Sequence, residues 1–161
     1  LDVAEQSLGY PIIVKLVYGS MGKSVFKAVN RAELERLAEN LKLYPHLFQR
    51  YIAKSHGRDM RVIVIGERVI GGIIRQSDGD FRSNVGLGGT ARACDVPENV
   101  CDTAIKAANI LGLDYCGIDF LFGDEPLLCE VNSNAFFDAF EQATGINVAK
   151  AYAEHIVNSQ L

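Results

Sequence analysis

The sequence predicts an α+β fold built mainly on antiparallel sheet, and three observations carry that prediction. Strand-length apolar runs alternate with stretches of helical spacing, without the strict strand–helix–strand rhythm of a doubly wound parallel sheet. Two pairs of runs, Met60–Ile65 with Arg68–Arg75 and Tyr115–Phe122 with Leu127–Asn132, are joined by short turns, as antiparallel hairpins are. With 161 residues, 48% of them hydrophobic and 22% charged, the chain has enough apolar material for a core without a disulfide or zinc staple.

Residues 2–8 read as the end of a helix, stopped by Gly9 and Pro11, and the β-branched run Ile12–Val17 as a buried strand. Gly19–Ser24 is a loop, and the strand Val25–Val29 follows with Lys27 interrupting its apolar character. Arg31–Leu43 places Leu34, Leu37, Ala38 and Leu41 at helical spacing and ends before Pro45. Leu47–Ile52 is a strand, followed by a polar bend containing Gly57. The first hairpin turns at Gly66-Glu67, Ser77–Gly89 is a long polar loop, and Thr90–Val96 is a short strand. Pro97–Leu111 is a helix with its proline near the first turn and Gly112 past its end. After the second hairpin, the last helix spans Asn147–Asn158. The bend at 53–58 is the expected boundary between two lobes, 1–53 and 54–161.

Composition excludes several classes of function. A net charge of -4 argues against a dedicated nucleic-acid binder, which needs a clustered basic surface. No apolar run reaches the roughly 18–20 residues of a membrane span. The cysteines at 94, 101, 116 and 129 form no CxxC, and the three histidines are scattered, so the thiols fit a reducing, cytoplasmic setting and no zinc site is expected. The chain opens on Leu1 with no leader pattern, and it is expected to be a piece of a longer protein.

Two segments carry chemistry. GSMGKS at 19–24 imitates the end of a Walker A loop, but Val17 stands where that motif needs glycine and a strand follows where it needs a helix. It is therefore a glycine-rich loop between antiparallel strands, either a plain hairpin tip or a flap whose N–H groups meet phosphate. Lys15 lies inside the apolar strand PIIVKLV, where it serves an anionic ligand or, on an edge strand, points into water. The second segment is DYCGIDFLFGDEPLLCEVNSN at 114–134. Centring its turn between Asp124 and Glu125 pairs Phe122 with Leu127 and Asp119 with Glu130. Alternation puts Asp119, Glu130 and Asn132 on one face, and Ile118, Phe120, Phe122, Leu127, Cys129 and Val131 on the core face. Two facing carboxylates need a cation: either Mg²⁺ or Mn²⁺, which oxygen ligands suit, or neighbouring arginines.

The chain resembles the ATP-grasp superfamily, specifically the RimK-type α-L-glutamate ligases related to the ribosomal protein modification enzymes. The resemblance rests on six segments in order: PIIVKLVYGSMG, FQRYI, GRDMRVIVIGERVIGG, GDFRSN followed by GG, GIDFLF and LLCEVNSN. It implies two α+β lobes gripping ATP between them, preceded in the whole protein by a further domain before Leu1. It assigns Lys15 to the phosphates, with Gly19, Ser20 and Gly22 in the flap. Arg50 and Tyr51 fall where the hinge binds adenine through its main chain, and Asp59 falls at the ribose hydroxyls. Arg82, Ser83 and Asn84 fall near the phosphates and the reacting centre, and Arg82 and Arg75 would stabilise the transferred phosphoryl group. Asp119, Glu130 and Asn132 match the metal ligands.

The resemblance further implies an ATP-dependent carboxylate–amine ligase working through an acylphosphate with Mg²⁺ or Mn²⁺. Its partners would be ATP, a carboxylate (a small molecule or a protein C-terminus) and an amino-acid amine such as glutamate, with neither nucleic acid nor membrane. A nucleotide-binding module without ligase activity and a kinase that stops at phosphoryl transfer are the alternatives. The sequence departs from the family pattern at Ser24, Arg50, the VGLGG stretch after Asn84 and the SNAFF stretch after Asn132, and the last two bear on the acceptor.

Overall fold

The computed structural model describes residues 1–19, 22–83 and 88–159. They form two compact units, Leu1–Ala53 and Lys54–Leu161.

The first unit contains α1 (Asp2–Leu8), β1 (Ile12–Leu16), β2 (Val25–Ala28), α2 (Arg31–Leu41) and β3 (His46–Arg50). Its sheet has the order β2-β1-β3, antiparallel throughout. Ile12, Val14, Ala28, Leu34 and Leu41 form its core, so one face of β1 and the apolar stripe of α2 exclude water together. Each Ile, Val or Leu among them contributes about 1.5–3 kcal/mol when fully buried. The start of α2 is set by a reciprocal cap. The Asn30 side chain accepts from the Glu33 N–H at 3.0 Å, and the Glu33 carboxylate accepts from the Val29 N–H at 3.0 Å.

The second unit holds a short 3-10 turn (Ala53–Ser55, which begins at the boundary), then β4 (Arg58–Ile65), β5 (Arg68–Gln76) and β6 (Thr90–Cys94). It continues with α3 (Glu98–Leu111), β7 (Tyr115–Phe122), β8 (Pro126–Asn132), α4 (Asp138–Thr144) and α5 (Val148–Ser159). The five strands run β6-β5-β4-β7-β8, all neighbours antiparallel. One face, with Met60, Val62, Val64, Ile118 and Phe120, packs on Val100, Ala104 and Ala108 of α3. On the other face Ile63, Ile65 and Ile73 pack on Phe140 and Val148 of α4 and α5. Helix α3 ends where Gly112 turns left-handed (φ 64°) and the Leu113 N–H reaches back to the Ala108 carbonyl at 3.0 Å. Helix α4 was not expected from the sequence. At seven residues it is too short to show a helical period, and its N-terminus has no side-chain cap.

No described helix is long and apolar enough to cross a membrane. None of the four cysteines is in a disulfide.

Candidate functional site

In the first unit, β1 is the central strand, which removes the reading of Lys15 as an edge residue. Ile12, Val14 and Leu16 turn to the core, so alternation places Ile13 and Lys15 on the opposite face. Lys27 shares that face because it pairs with Ile13, and its ammonium lies 5.2 Å from the centre of the Tyr51 ring. Sequence reasoning treated Lys27 only as an interruption in its strand. The neighbouring loop is closed at its base by the Leu16 N–H on the Ser24 carbonyl at 3.0 Å, and Gly22 has φ 70°. A Cβ at Gly19 would stand 2.6 Å from the Ser24 hydroxyl oxygen, so the loop doubles back tightly there. Ser20 lies outside the described residues. β3 is an edge strand, with Arg50 at its end donating to the Ser7 carbonyl at 3.3 Å and Tyr51 just beyond.

In the second unit, the face of the sheet beyond Ile63 and Ile73 is charged. Register sets Arg61 opposite Asp119, and Asp59 opposite Arg75. Arg61 holds Asp119 in a fork, Nε on Oδ1 at 2.7 Å and Nη2 on Oδ2 at 2.8 Å. Arg75 binds both oxygens of Asp59 and reaches across β4 to Asp119 Oδ2 at 2.9 Å. Asp59 and Asp119 are 5% and 7% exposed, so four charges lie almost out of water and cancel as two cations and two anions. Burial pushes the Asp119 carboxyl up, but Arg75 and Arg61 outweigh it and hold its pKa below the ordinary value. For Asp59 burial prevails over Arg75 and raises the pKa. Asp59 was assigned to the ribose hydroxyls; in this structure both its oxygens are on Arg75.

The β7–β8 hairpin corrects part of the expected register. Asp119 does face Glu130, and Gly117 faces Asn132. Beyond Asp119 a β-bulge adds Cys129, so Phe120 faces Leu128 and Phe122 faces Pro126, not Leu127. One extra residue exchanges the faces, and Leu127 opposes Leu121 on the charged side, 42% exposed, instead of entering the core. Of the two kinds of cation weighed for these carboxylates, arginines are present at Asp119. The arginines that neutralise Asp119 come from β4 and β5, and the strand order that brings them there is not written in the hairpin itself.

Among the described residues no group of three or more His, Cys, Asp or Glu could hold a metal. The donor set here is two carboxylates and an amide. Asn132 would join such a set through its carbonyl oxygen, since all-oxygen donors suit Mg²⁺ or Mn²⁺. Its buried Nδ2, a hydrogen-bond donor, has no partner, and turning the amide over would set the oxygen at that unpartnered position. The stretch after Asn132 folds back over Gly117, where a Cβ would meet that of Ala135 at 2.5 Å. The Tyr115 hydroxyl fixes it by donating to the Ala135 carbonyl at 2.6 Å. Arg82 is clasped by Asp80, which accepts from the Arg82 backbone N–H at 2.8 Å, Nε at 3.0 Å and Nη2 at 2.6 Å. The Ser83 hydroxyl bonds to Asp59, and Asn84 lies outside the described residues.

The RimK-like ATP-grasp domain family matches residues 2–156. The chain belongs to that family. It is 43% identical to beta-citrylglutamate synthase B of Danio rerio over 98% of this chain and 40% of that protein. It is 41% identical to N-acetylaspartylglutamate synthase A of Homo sapiens, over 98% and 41% respectively. With the "Probable alpha-L-glutamate ligase" of Enterobacter sp. (strain 638) it shares 42% identity over 88% and 48%. The chain thus spans less than half the length of these three relatives. Among solved structures, the ATP-grasp ligase PsnB complexed with a minimal precursor superposes with a TM-score of 0.77 at 25% identity, over 99% of this chain and 51% of that one. D-alanine--D-alanine ligase from Bacillus anthracis superposes with a TM-score of 0.73 at 18% identity, over 98% and 56%. The RimK-like ATP-grasp chain therefore has the α+β, ATP-grasp fold.

Proposed function

We propose that this chain is the ATP-grasp portion of an ATP-dependent carboxylate–amine ligase that adds L-glutamate to a small acid. The observation that carries the reading is the face on which Asp119 opposes Glu130, with Asn132 two residues on and Arg75 bonded to Asp119. The relatives' names support glutamate as the amine, and citrate or N-acetylaspartate as models for the acid.

A carboxylate oxygen of the acid attacks the γ-phosphorus of ATP and ADP leaves, giving an acylphosphate. The amine nitrogen of glutamate attacks the acyl carbon, phosphate leaves, a proton is lost and an amide remains. No residue serves as a covalent nucleophile, so the protein contributes position and charge. Lys15 binds phosphate oxygens as a point charge, beside the 19–24 flap that includes Gly19, Ser20 and Gly22. The edge strand β3 offers main-chain groups to adenine at Arg50 and Tyr51. Arg75 and Arg82 stabilise the transferred phosphoryl group, Ser83 and Asn84 follow Arg82 in the same phosphate-side stretch of the sequence, and Asp59 fixes Arg75. Asp119, Glu130 and Asn132 would hold Mg²⁺ or Mn²⁺, which neutralises charge on phosphate oxygens when bound. The first unit thereby serves as the lobe of the flap and the second as the lobe of the metal. The reaction belongs in the cytoplasm, where ATP and reduced thiols coexist.

The test is the full-length protein with Mg·ATP, glutamate labelled with ¹⁵N, and citrate or N-acetylaspartate, read by mass spectrometry. The expected product is a labelled amide formed together with ADP. ADP without amide would replace the ligase by a kinase, and an absence of ATP turnover with every acid tried would remove the enzymatic reading.

A further inference from the structure

Gly57 is buried between the 3-10 turn and β4, with a left-handed backbone (φ 65°). Its two main-chain groups both go to the segment that follows β5. The Gly57 N–H donates to the Phe81 carbonyl at 3.0 Å, and the Gly57 carbonyl accepts from the Ser77 N–H at 2.8 Å. A Cβ at this position would stand 2.8 Å from the Asp80 carbonyl oxygen and 2.9 Å from that of Ser77. Both obstacles are backbone, so no rotamer change relieves them and the segment itself would have to move.

Within that segment Arg82 has little freedom. Asp80 takes its backbone N–H and two guanidinium nitrogens, so the side chain is tied to the segment's own frame. Two residues after Gly57 on β4, Asp59 carries Arg75 and receives the Ser83 hydroxyl. The frame of residues 77–83 is therefore fixed at two points, Gly57 just before β4 and Asp59 within it, and the first point admits no side chain.

We infer that Gly57 is a positioning residue: its paired main-chain hydrogen bonds fix the frame of residues 77–83, and Asp80 transmits that position to the Arg82 guanidinium. The inference rests on the proposed ligase reaction. Gly57 touches no reacting group and acts through Arg82. A misplacement of about 1 Å at a phosphoryl-stabilising arginine can lower the rate about 100-fold.

The test uses the full-length protein carrying Gly57→Ala, Arg82→Met and both. Gly57→Ala alone should lower kcat about 30- to 100-fold while the KM for ATP moves less than about 3-fold. In the Arg82→Met background the same change should lower kcat no more than about 3-fold, because the group it positions is gone. Asp80→Asn loosens Arg82 without introducing a clash, and it should give the same kcat-only loss and the same lack of additivity if Gly57→Ala does not fold. Full additivity of either variant with Arg82→Met would overturn the inference. Hydrogen exchange on Gly57→Ala, which needs no turnover, should show faster exchange at Ser77 with unchanged protection in the β4–β7 pairing. Unchanged exchange at Ser77 would overturn the anchoring directly. A wild-type protein without ATP turnover would sink the ligase reading, leaving the exchange result to decide the anchoring.

Discussion

Asp119 accepts from two guanidiniums while nearly out of water, so its charge balances this face of the sheet, apart from the ligand role proposed for it. Replacing it with Asn removes the anion that Arg61 and Arg75 share, while Arg75 keeps Asp59. Removing one partner of a buried pair destabilises by about 3–5 kcal/mol, and the amide oxygen, which still accepts one bond, should hold the loss near the lower limit. Asp119→Asn is therefore expected to lower the unfolding free energy by about 3 kcal/mol and also to weaken Mg·ATP binding. Urea unfolding of this variant indistinguishable from wild type would show that the arginines are balanced by other groups. Part of this was legible in the sequence: the alternation of GIDFLF and LLCEVN set Asp119 against Glu130. Arginines were one of the two kinds of cation weighed for this pair, but which arginines was not legible. Arg61 and Arg75 belong to a different hairpin, and only the order β5-β4-β7 brings them to Asp119.

Strands β7 and β8 end in a segment held back onto the sheet by one tyrosine. The Tyr115 hydroxyl donates to the Ala135 carbonyl, and its ring meets Phe137 edge-on at 6.3 Å and Tyr152 of α5 at 5.4 Å. Burial pushes the phenol up to about 12. An acid whose folded pKa is raised contributes stability that is complete below its unfolded value, about 10, and is lost as pH rises through the folded value. Tyr115→Phe should lower stability by about 1 kcal/mol at neutral pH through the lost hydrogen bond. The difference from wild type should then shrink between about pH 10 and 12. A difference that stays constant across that range would mean the phenol titrates alike in both states. At this scale the elements marked by punctuation were readable. Pro97 and Gly112 bracket α3, and the two hairpins and the last helix are present within a few residues of their expected limits. The Cys129 bulge and α4 were not readable, because a bulge in an unbroken apolar run and a seven-residue helix leave no periodic trace.

The whole chain has separate cores. Ile12, Val14, Ala28, Leu34 and Leu41 lie in the first unit, while both clusters of the second are drawn from residues after Lys54. The polar bend at 53–58 has no apolar periodicity and contributes to none of these clusters. Separate cores predict separate responses to core damage. Leu34 is fully buried in the first unit and Ile118 in the second, and truncating such a side chain to alanine lowers stability by about 2–5 kcal/mol. Native-state hydrogen exchange reads each sheet by its own amides. Leu34→Ala should speed exchange in β1 and β3 by at least tenfold (about 1.4 kcal/mol per factor of ten) and leave β4 and β7 nearly unchanged. Ile118→Ala should do the reverse. The second unit also has the larger sheet and two core clusters, so its central strands should hold the slowest amides of the chain. Equal loss of protection in both sheets from either substitution would mean that the two units unfold as one body, and the chain would then be a single cooperative unit in spite of its divided cores.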